Sequence, residues 1–276
     1  MFKFMAKSLF YRSQNIAMKK NLRFLFFGVL SVFLFSFYSG KSQNYKEGEF
    51  LKYRIHYGLL NAGFATLQVK NSNYDGRPHY QIIGEGSSSG AVRAFFKVDD
   101  RYESFIDRST NKPTKFVRNI SEGGYTRDQV VTFDYKKKIA KLDDRKAKSV
   151  TYYSITNEVQ DLLSAFYYLR NYDTDQLKNG DFIDVDIFMT DETFKFKLKI
   201  LGREPMKTKY GTINTIKIRP YVQSGRVFKA SESVTMWVTD DKNHIPIQVR
   251  AELMVGSLKA DLFDYKNIKY PLDFKK

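Results

Sequence analysis

Cysteine is absent from all 276 residues. Disulfide staples are therefore excluded, and so is an acyl-modified cysteine behind an export signal. Histidine is scarce, with only His56, His79 and His244, and these show no H-x-x-x-H or H-x-H spacing. With no thiolate to complete a set, a metal site is not expected. Nothing calls for a cofactor, because no phosphate-binding glycine loop is present. There is no repeat of fixed period, no low-complexity tract and no Pro/Ser-rich linker. Apolar runs long enough to span a bilayer, about 20 residues, are also missing. The longest is Phe24 to Tyr38, 15 residues.

That run has the flanks of a secretory leader. Lys19, Lys20 and Arg23 precede it, and Gly40 and Ser42 follow where small residues mark a cleavage site. Residues 1–42 read as a cleavable signal peptide, with Gln43 as the new N-terminus. Met18, directly before the two lysines, makes residues 1–17 an upstream extension or a long basic region. The expected product is 43–276, one β-rich domain that is exported to the periplasm or beyond and not lipid-anchored. The leader holds seven Lys or Arg and no acid, so the net +16 of the whole chain falls to +9 without it. An exported basic protein rarely meets nucleic acid. Anionic membrane surfaces or acidic polysaccharide are the expected partners. No signal sets an oligomeric state.

Past residue 50 the chain alternates apolar and polar residues with period two. Leu51, Tyr53, Ile55 and Tyr57 oppose Lys52, Arg54 and His56. Ile183, Val185 and Ile187 oppose Asp184 and Asp186, and Phe194, Phe196, Leu198 and Ile200 oppose Lys195, Lys197 and Lys199. About a dozen such strands, separated by turn residues at hairpin spacing, predict a mainly β antiparallel meander that forms a wide barrel or a strongly curved sheet. One segment breaks the pattern. In Asn157 to Tyr172, Val159, Leu162, Leu163, Phe166 and Leu169 recur at three- and four-residue steps, which predicts an amphipathic helix packed on the sheet. Asn157 would be its N-cap, with Gln160 completing a capping box.

Candidate chemistry is sparse. Gly86 to Gly90 matches G-x-S-x-G, but a nucleophile elbow belongs to an alternating α/β fold and needs a histidine–acid pair. A serine hydrolase working through Ser87–Ser89 is the remote alternative. Asp99-Asp100 and Asp240-Asp241 are carboxylate neighbours that alternation or turn geometry would point apart. The 24 Phe, 19 Tyr and single Trp are the remaining signal. A wide aromatic β-body with one apolar helix suits a cavity for a lipid or other hydrophobic ligand. Phe166, Tyr167, Tyr168 and Trp237 are the expected ligand-binding residues. A glycan-binding or envelope-assembly module is the alternative.

Several stretches together resemble a known family: GEFLKYRIHYGLLNAGFATLQV (48–69), VQDLLSAFYYLRNY (159–172), and SVTMWVTDDKNHIPIQVRAEL with VGSLKADL (233–262). Gly48-Glu49, the Ala62-Gly63 after the first strand, Gln160-Asp161 and Trp237-Val238 followed by Ile245-Pro246 carry the likeness. The family is that of exported bacterial proteins catalogued as domain of unknown function 3108. The resemblance implies an envelope location and a β-rich body, and supplies no activity and no catalytic residues.

Overall fold

A computed structural model describes residues 43–222 and 234–276. The signal peptide expected over residues 1–42, and the choice between Met1 and Met18, lie outside the described residues.

Alternation dominates the structure as expected. The first half of the chain supplies β1 (Phe50–Tyr57), β2 (Leu60–Tyr74), β3 (Arg77–Ser88), β4 (Asp99–Asp107), β5 (Pro113–Glu122), β6 (Tyr125–Asp134), β7 (Ile139–Asp144) and β8 (Ser149–Ser154). The second half supplies β9 (Phe182–Met189), β10 (Glu192–Thr208), β11 (Gly211–Val222), β12 (Val234–Thr239), β13 (Pro246–Glu252) and β14 (Ser257–Lys266). All belong to one antiparallel 14-stranded sheet in the order β8-β7-β6-β5-β4-β3-β2-β1-β14-β13-β12-β11-β10-β9. Each half is a meander, and β1 pairing with β14 joins them. The expected hairpin of opposite charges is present, with Lys195 opposite Asp186 and Lys197 opposite Asp184.

The sheet is barrel-like but not closed. Among the described residues no ladder joins the edge strands β8 and β9. The chain between them spans the gap instead. Gln160 lies parallel to the β9 edge, its N–H donating to Asp186 O at 2.8 Å while its carbonyl accepts from Phe188 N at 2.8 Å. The rings of Tyr153 and Phe188 meet across the opening at 5.7 Å.

This pairing corrects the helix boundary. Backbone groups engaged by a strand edge cannot enter a helix, so residues 157–160 are not helical. The helix is shorter, Leu162–Arg170, and its N-cap is Asp161 rather than Asn157. Asp161 accepts from Ser164 N at 2.8 Å, and Asp161 N donates back to Ser164 Oγ at 2.8 Å, the reciprocal form of a capping box. Val159 is buried from the extended segment and not from a helical face. A second, unexpected helix, α1 (Gly90–Phe95), follows Ser89 between β3 and β4. We therefore call the central helix α2.

Hairpin connectivity gives the sheet two ends. The segment 155–181 with α2, the residues before β1 and the tail after β14 all lie at one end. There Tyr45 is buried beside α2, and Lys275 exchanges backbone hydrogen bonds with Thr212 at 2.7 Å. The turns 58–59, 89–98, 123–124, 145–148, 190–191 and 253–256 lie at the other.

Candidate ligand-binding concavity

Strand register stacks the inward side chains of β2 to β7 into rows. At the level of the α2 N-terminus, Val69, Ile82, Ser104, Phe116, Val131 and Leu142 are successive cross-strand partners, all buried. One pair nearer the open end the row reads Leu67, Gly84, Tyr102, Arg118, Gln129 and Asp144. The inner face thus changes from apolar to polar over two residues of strand, about 7 Å.

α2 lies over these rows. Its Leu163 side chain occupies the space left by Gly84, where an added Cβ would come within 3.1 Å of Leu163 Cδ2. Leu163, Tyr167 and Arg170, at helical spacing, form the buried stripe. Tyr167 is wholly buried with its ring edge-on to Tyr45 at 4.6 Å. The neighbouring stripe, Leu162, Phe166 and Leu169, is left less covered. Leu162 is 41% exposed, and Phe166 and Leu169 are half-buried against the two halves of the sheet. An apolar helix face is therefore incompletely covered, and its Phe166 shares a cluster with Leu67 and Tyr102.

The polar row is internally connected. Arg118 Nη1 donates to Thr190 Oγ1 at 3.0 Å, reaching the β9–β10 turn, and lies 3.3 Å from Gln129 Oε1. Gln129 Nε2 donates to Asp144 Oδ2 at 2.7 Å. Burial pushes the Tyr102 hydroxyl up to about 12, with nearby Asp100 adding to the rise. Asp100, hydrogen-bonded to Glu122, raises the Glu122 carboxyl above the usual range. At the helix N-terminus Asp161 is fully buried, and burial pushes its carboxyl up to about 7. The Ser104 hydroxyl, donating at 2.6 Å, and the amides of Ser164 and Leu163 oppose that rise.

The expected ligand-binding residues do not assemble into one surface. Phe166 and Tyr168 are half-buried on α2, Tyr168 packing on Val185 and Ile187. Tyr167 points into the buried end. Trp237 lies on the opposite face of the sheet from α2. Its neighbours Met236 and Val238 pack in the cluster that includes Leu169. The indole itself donates Nε1–H to Glu204 Oε1 at 2.6 Å beside Lys217. Strand alternation forces that separation. Leu67, Tyr102 and Arg118, which the sequence reading did not single out, share one inward row of the sheet. The signal for Arg118 was present in β5, where it alternates with Phe116 and Ile120 and so shares their inward face.

The G-x-S-x-G stretch forms no catalytic array among the described residues. Ser88 Oγ accepts from Val98 N at 2.9 Å. His56 engages Asp261 and Gly58 O, His79 engages Thr114 and Arg77 O, and His244 engages Thr174 and Arg170 O. No group of three or more His, Asp or Glu is placed to hold a metal among the described residues.

Fold and concavity define a barrel-like antiparallel meander, open along one seam and capped at one end by a helix. The family described as Protein of unknown function (DUF3108) matches residues 52–262, from the first strand to the last, and the chain belongs to it. None of the curated proteins matches the chain. Among solved structures, a β-barrel-like protein of the domain of unknown function DUF1849 from Brucella abortus superposes with a TM-score of 0.54 at 9% identity. That alignment covers 80% of this chain and 98% of the other. A candidate exported protein with a YmcC-like fold from Bacteroides fragilis aligns with a TM-score of 0.32 at 8% identity, over 82% and 100% of the two chains. A candidate lipoprotein from Parabacteroides distasonis gives 0.30 at 12%, over 80% and 96%. The Brucella likeness shows a shared fold and nothing further.

Proposed function

We propose that this is a non-catalytic, exported envelope protein that holds a lipid-like amphipathic ligand in its concavity. The observation that carries the reading is the incompletely covered stripe Leu162–Phe166–Leu169 of α2, whose Phe166 packs on the same buried cluster as Leu67 and Tyr102. An apolar helix stripe normally buries itself against the sheet. Here part of it stays uncovered, and the inward rows of β2 to β7 run from apolar to polar, which suits a molecule with a hydrocarbon part and a polar head. The acyl part would lie against Leu67, Leu162 and Phe166, and the head at Tyr102 and Arg118. Export rests on the leader pattern, with cleavage before Gln43. Gln43 is itself held in the fold, its Nε2 donating to Asn111 Oδ1 at 2.7 Å and to Arg108 O at 3.1 Å.

Native mass spectrometry of the 43–276 chain, recovered from the periplasm of cells expressing the full sequence, tests this. A co-purifying lipid mass is expected, lost on solvent extraction and absent from Phe166→Asp. A clean protein mass, with no uptake of offered lipid, overturns the reading.

A further inference from the structure

The far half of the β10–β11 hairpin runs on without β12 beside it. The register of the two strands shifts between Ile200 and Gly202, and β12 follows β11 only from Thr215 to Ile218. Beyond those points the hairpin tip meets β14 instead. Tyr210 OH donates to Phe263 O at 2.9 Å, and the Tyr210 and Tyr265 rings meet edge-on at 5.2 Å. Met206 joins the cluster that holds Ile247 and Leu262. A cavity of about 330 Å³ is left between the tip and strands β1, β13 and β14. Met206, Ile247 and Leu262 give it an apolar wall, and Arg54, Lys207 and Lys209 give it three cations.

The carboxylates around this cavity have partners of their own. Asp261, the one acid in its wall, accepts from Gln248 Nε2 at 2.6 Å through Oδ1 and faces His56 Nε2 through Oδ2. Farther along the strands, Asp264 stands opposite Lys52, Glu204 meets Lys217 at 3.4 Å, and Glu252 meets Arg250 at 2.7 Å. β1 and β11 carry no acid. Asp273, in the tail that reaches the hairpin at Thr212, is accompanied by Lys275 and Lys276. Arg54, Lys207 and Lys209, by contrast, make no ion pair among the described residues. Lys209 Nζ lies 4.1 Å from the centroid of the Phe263 ring, which also lines the cavity. Three cations against one carboxylate leave the wall with a net charge of +2.

We propose that this cavity binds a phosphomonoester carried on a small apolar group. A phosphomonoester has a charge of about −1.5 to −2 at neutral pH, which matches the wall, whereas a carboxylate or phosphodiester would compensate only about half of it. A guanidinium can pair with two phosphate oxygens at once, and Arg54 on β1 faces Lys207 and Lys209 on the hairpin from across the cavity. The apolar wall and the Phe263 ring suit the group that carries the phosphate. The volume stands at the low end of ligand pockets, about 300–1,000 Å³, and so fits a small molecule. The site is separate from α2 and does not depend on an occupied concavity.

Isothermal titration calorimetry of the 43–276 chain with phenyl phosphate and with benzoate tests it. Phenyl phosphate should bind, and benzoate at least about tenfold more weakly. Lys207→Gln/Lys209→Gln should weaken phenyl phosphate by at least about tenfold, whereas Lys137→Gln/Lys148→Gln, which removes the same charge elsewhere, should leave it unchanged. All four lysines are exposed, so the fold should survive, and an unchanged circular dichroism spectrum checks that. Dioctanoyl phosphatidic acid, offered below its micelle concentration, separates the sources of the phosphate. Binding of that lipid in place of phenyl phosphate, lost in Lys207→Gln/Lys209→Gln, would keep the site and make its ligand a lipid headgroup. No binding of either phosphate overturns the proposal, as does equal affinity for benzoate or for the Lys207→Gln/Lys209→Gln chain. An equal loss in Lys137→Gln/Lys148→Gln also overturns it, since the attraction would then be diffuse surface charge.

Discussion

Arg170 grips Glu49 through two parallel hydrogen bonds, Nη2 to Oε2 at 2.9 Å and Nη1 to Oε1, with side chains only 2% and 0% exposed. Arg170 Nε also donates to Asn243 O at 2.8 Å. The C-terminal turn of α2 is thereby fastened to the residue before β1 and to the β12–β13 turn. Removing one partner leaves an uncompensated buried charge, which costs about 3–5 kcal/mol. Glu49→Gln should lose that much in urea unfolding. The double change Glu49→Leu/Arg170→Met should lose less than either single change, since no lone charge remains.

Asp161 makes the fold pH-sensitive. Its folded pKa, about 7, lies above the ordinary 3.8. The folded state therefore holds the proton more tightly, and its contribution is complete below about pH 4 and lost as pH rises through 7. Tyr135, whose hydroxyl donates to Val159 O at 3.0 Å, senses this carboxyl. Asp161→Asn keeps an oxygen for Ser164 N and removes the charge. Unfolding free energy measured from pH 5 to pH 8 should fall in the parent and change little in Asp161→Asn, with the variant the more stable by about 1–4 kcal/mol at pH 8. A parent whose stability rises over that window contradicts this account.

Period-two alternation carried the meander, because each strand of an antiparallel sheet with one covered face records that face in its own residues. Lys195 and Lys197 could be set against Asp184 and Asp186 on sequence grounds, and the register places them opposite. What depended on distant chain was invisible. Nothing near Gln160 announces that the β9 edge takes its backbone, so the helix was read four residues too far toward the N-terminus. The Gly-Ser-rich stretch gave no sign of α1, whose residues are all at least partly exposed and so carry no apolar stripe. Tyr45 against Tyr167, and Glu49 against Arg170, join positions more than a hundred residues apart, with no periodicity to link them. Residue type alone does not report which face of a strand points inward, so the sequence could not separate Trp237 from the helix aromatics.

Gly84 is the contact that lets α2 approach the sheet. A methyl there would sit 3.1 Å from Leu163 Cδ2 and 3.4 Å from Leu67 Cδ2. Gly84→Ala asks for a few tenths of an ångström, which Leu163 can yield. Gly84→Val asks for more and should destabilise by about 1–3 kcal/mol. Faster amide exchange in Ala165–Tyr168, with β10–β11 unaffected, would show that the helix has lifted. Unchanged exchange would show that the strand moves instead.

Trp237, the only tryptophan, reports on the face of the sheet away from α2. Its indole is fixed by Glu204 at 2.6 Å and by the Lys217 ammonium 5.4 Å from the ring centroid. Palmitate offered below its micelle concentration should enter the concavity and leave the emission maximum of the parent chain unmoved. In Phe166→Trp/Trp237→Phe the reporter stands on the half-exposed stripe of α2, and the same titration should shift its emission to shorter wavelength as hydrocarbon replaces water. The two chains make the location of binding a measured quantity. A shift confined to Trp237 would put the ligand on the outer face, and the Leu162–Phe166–Leu169 stripe would then need a protein segment, not a lipid, to cover it.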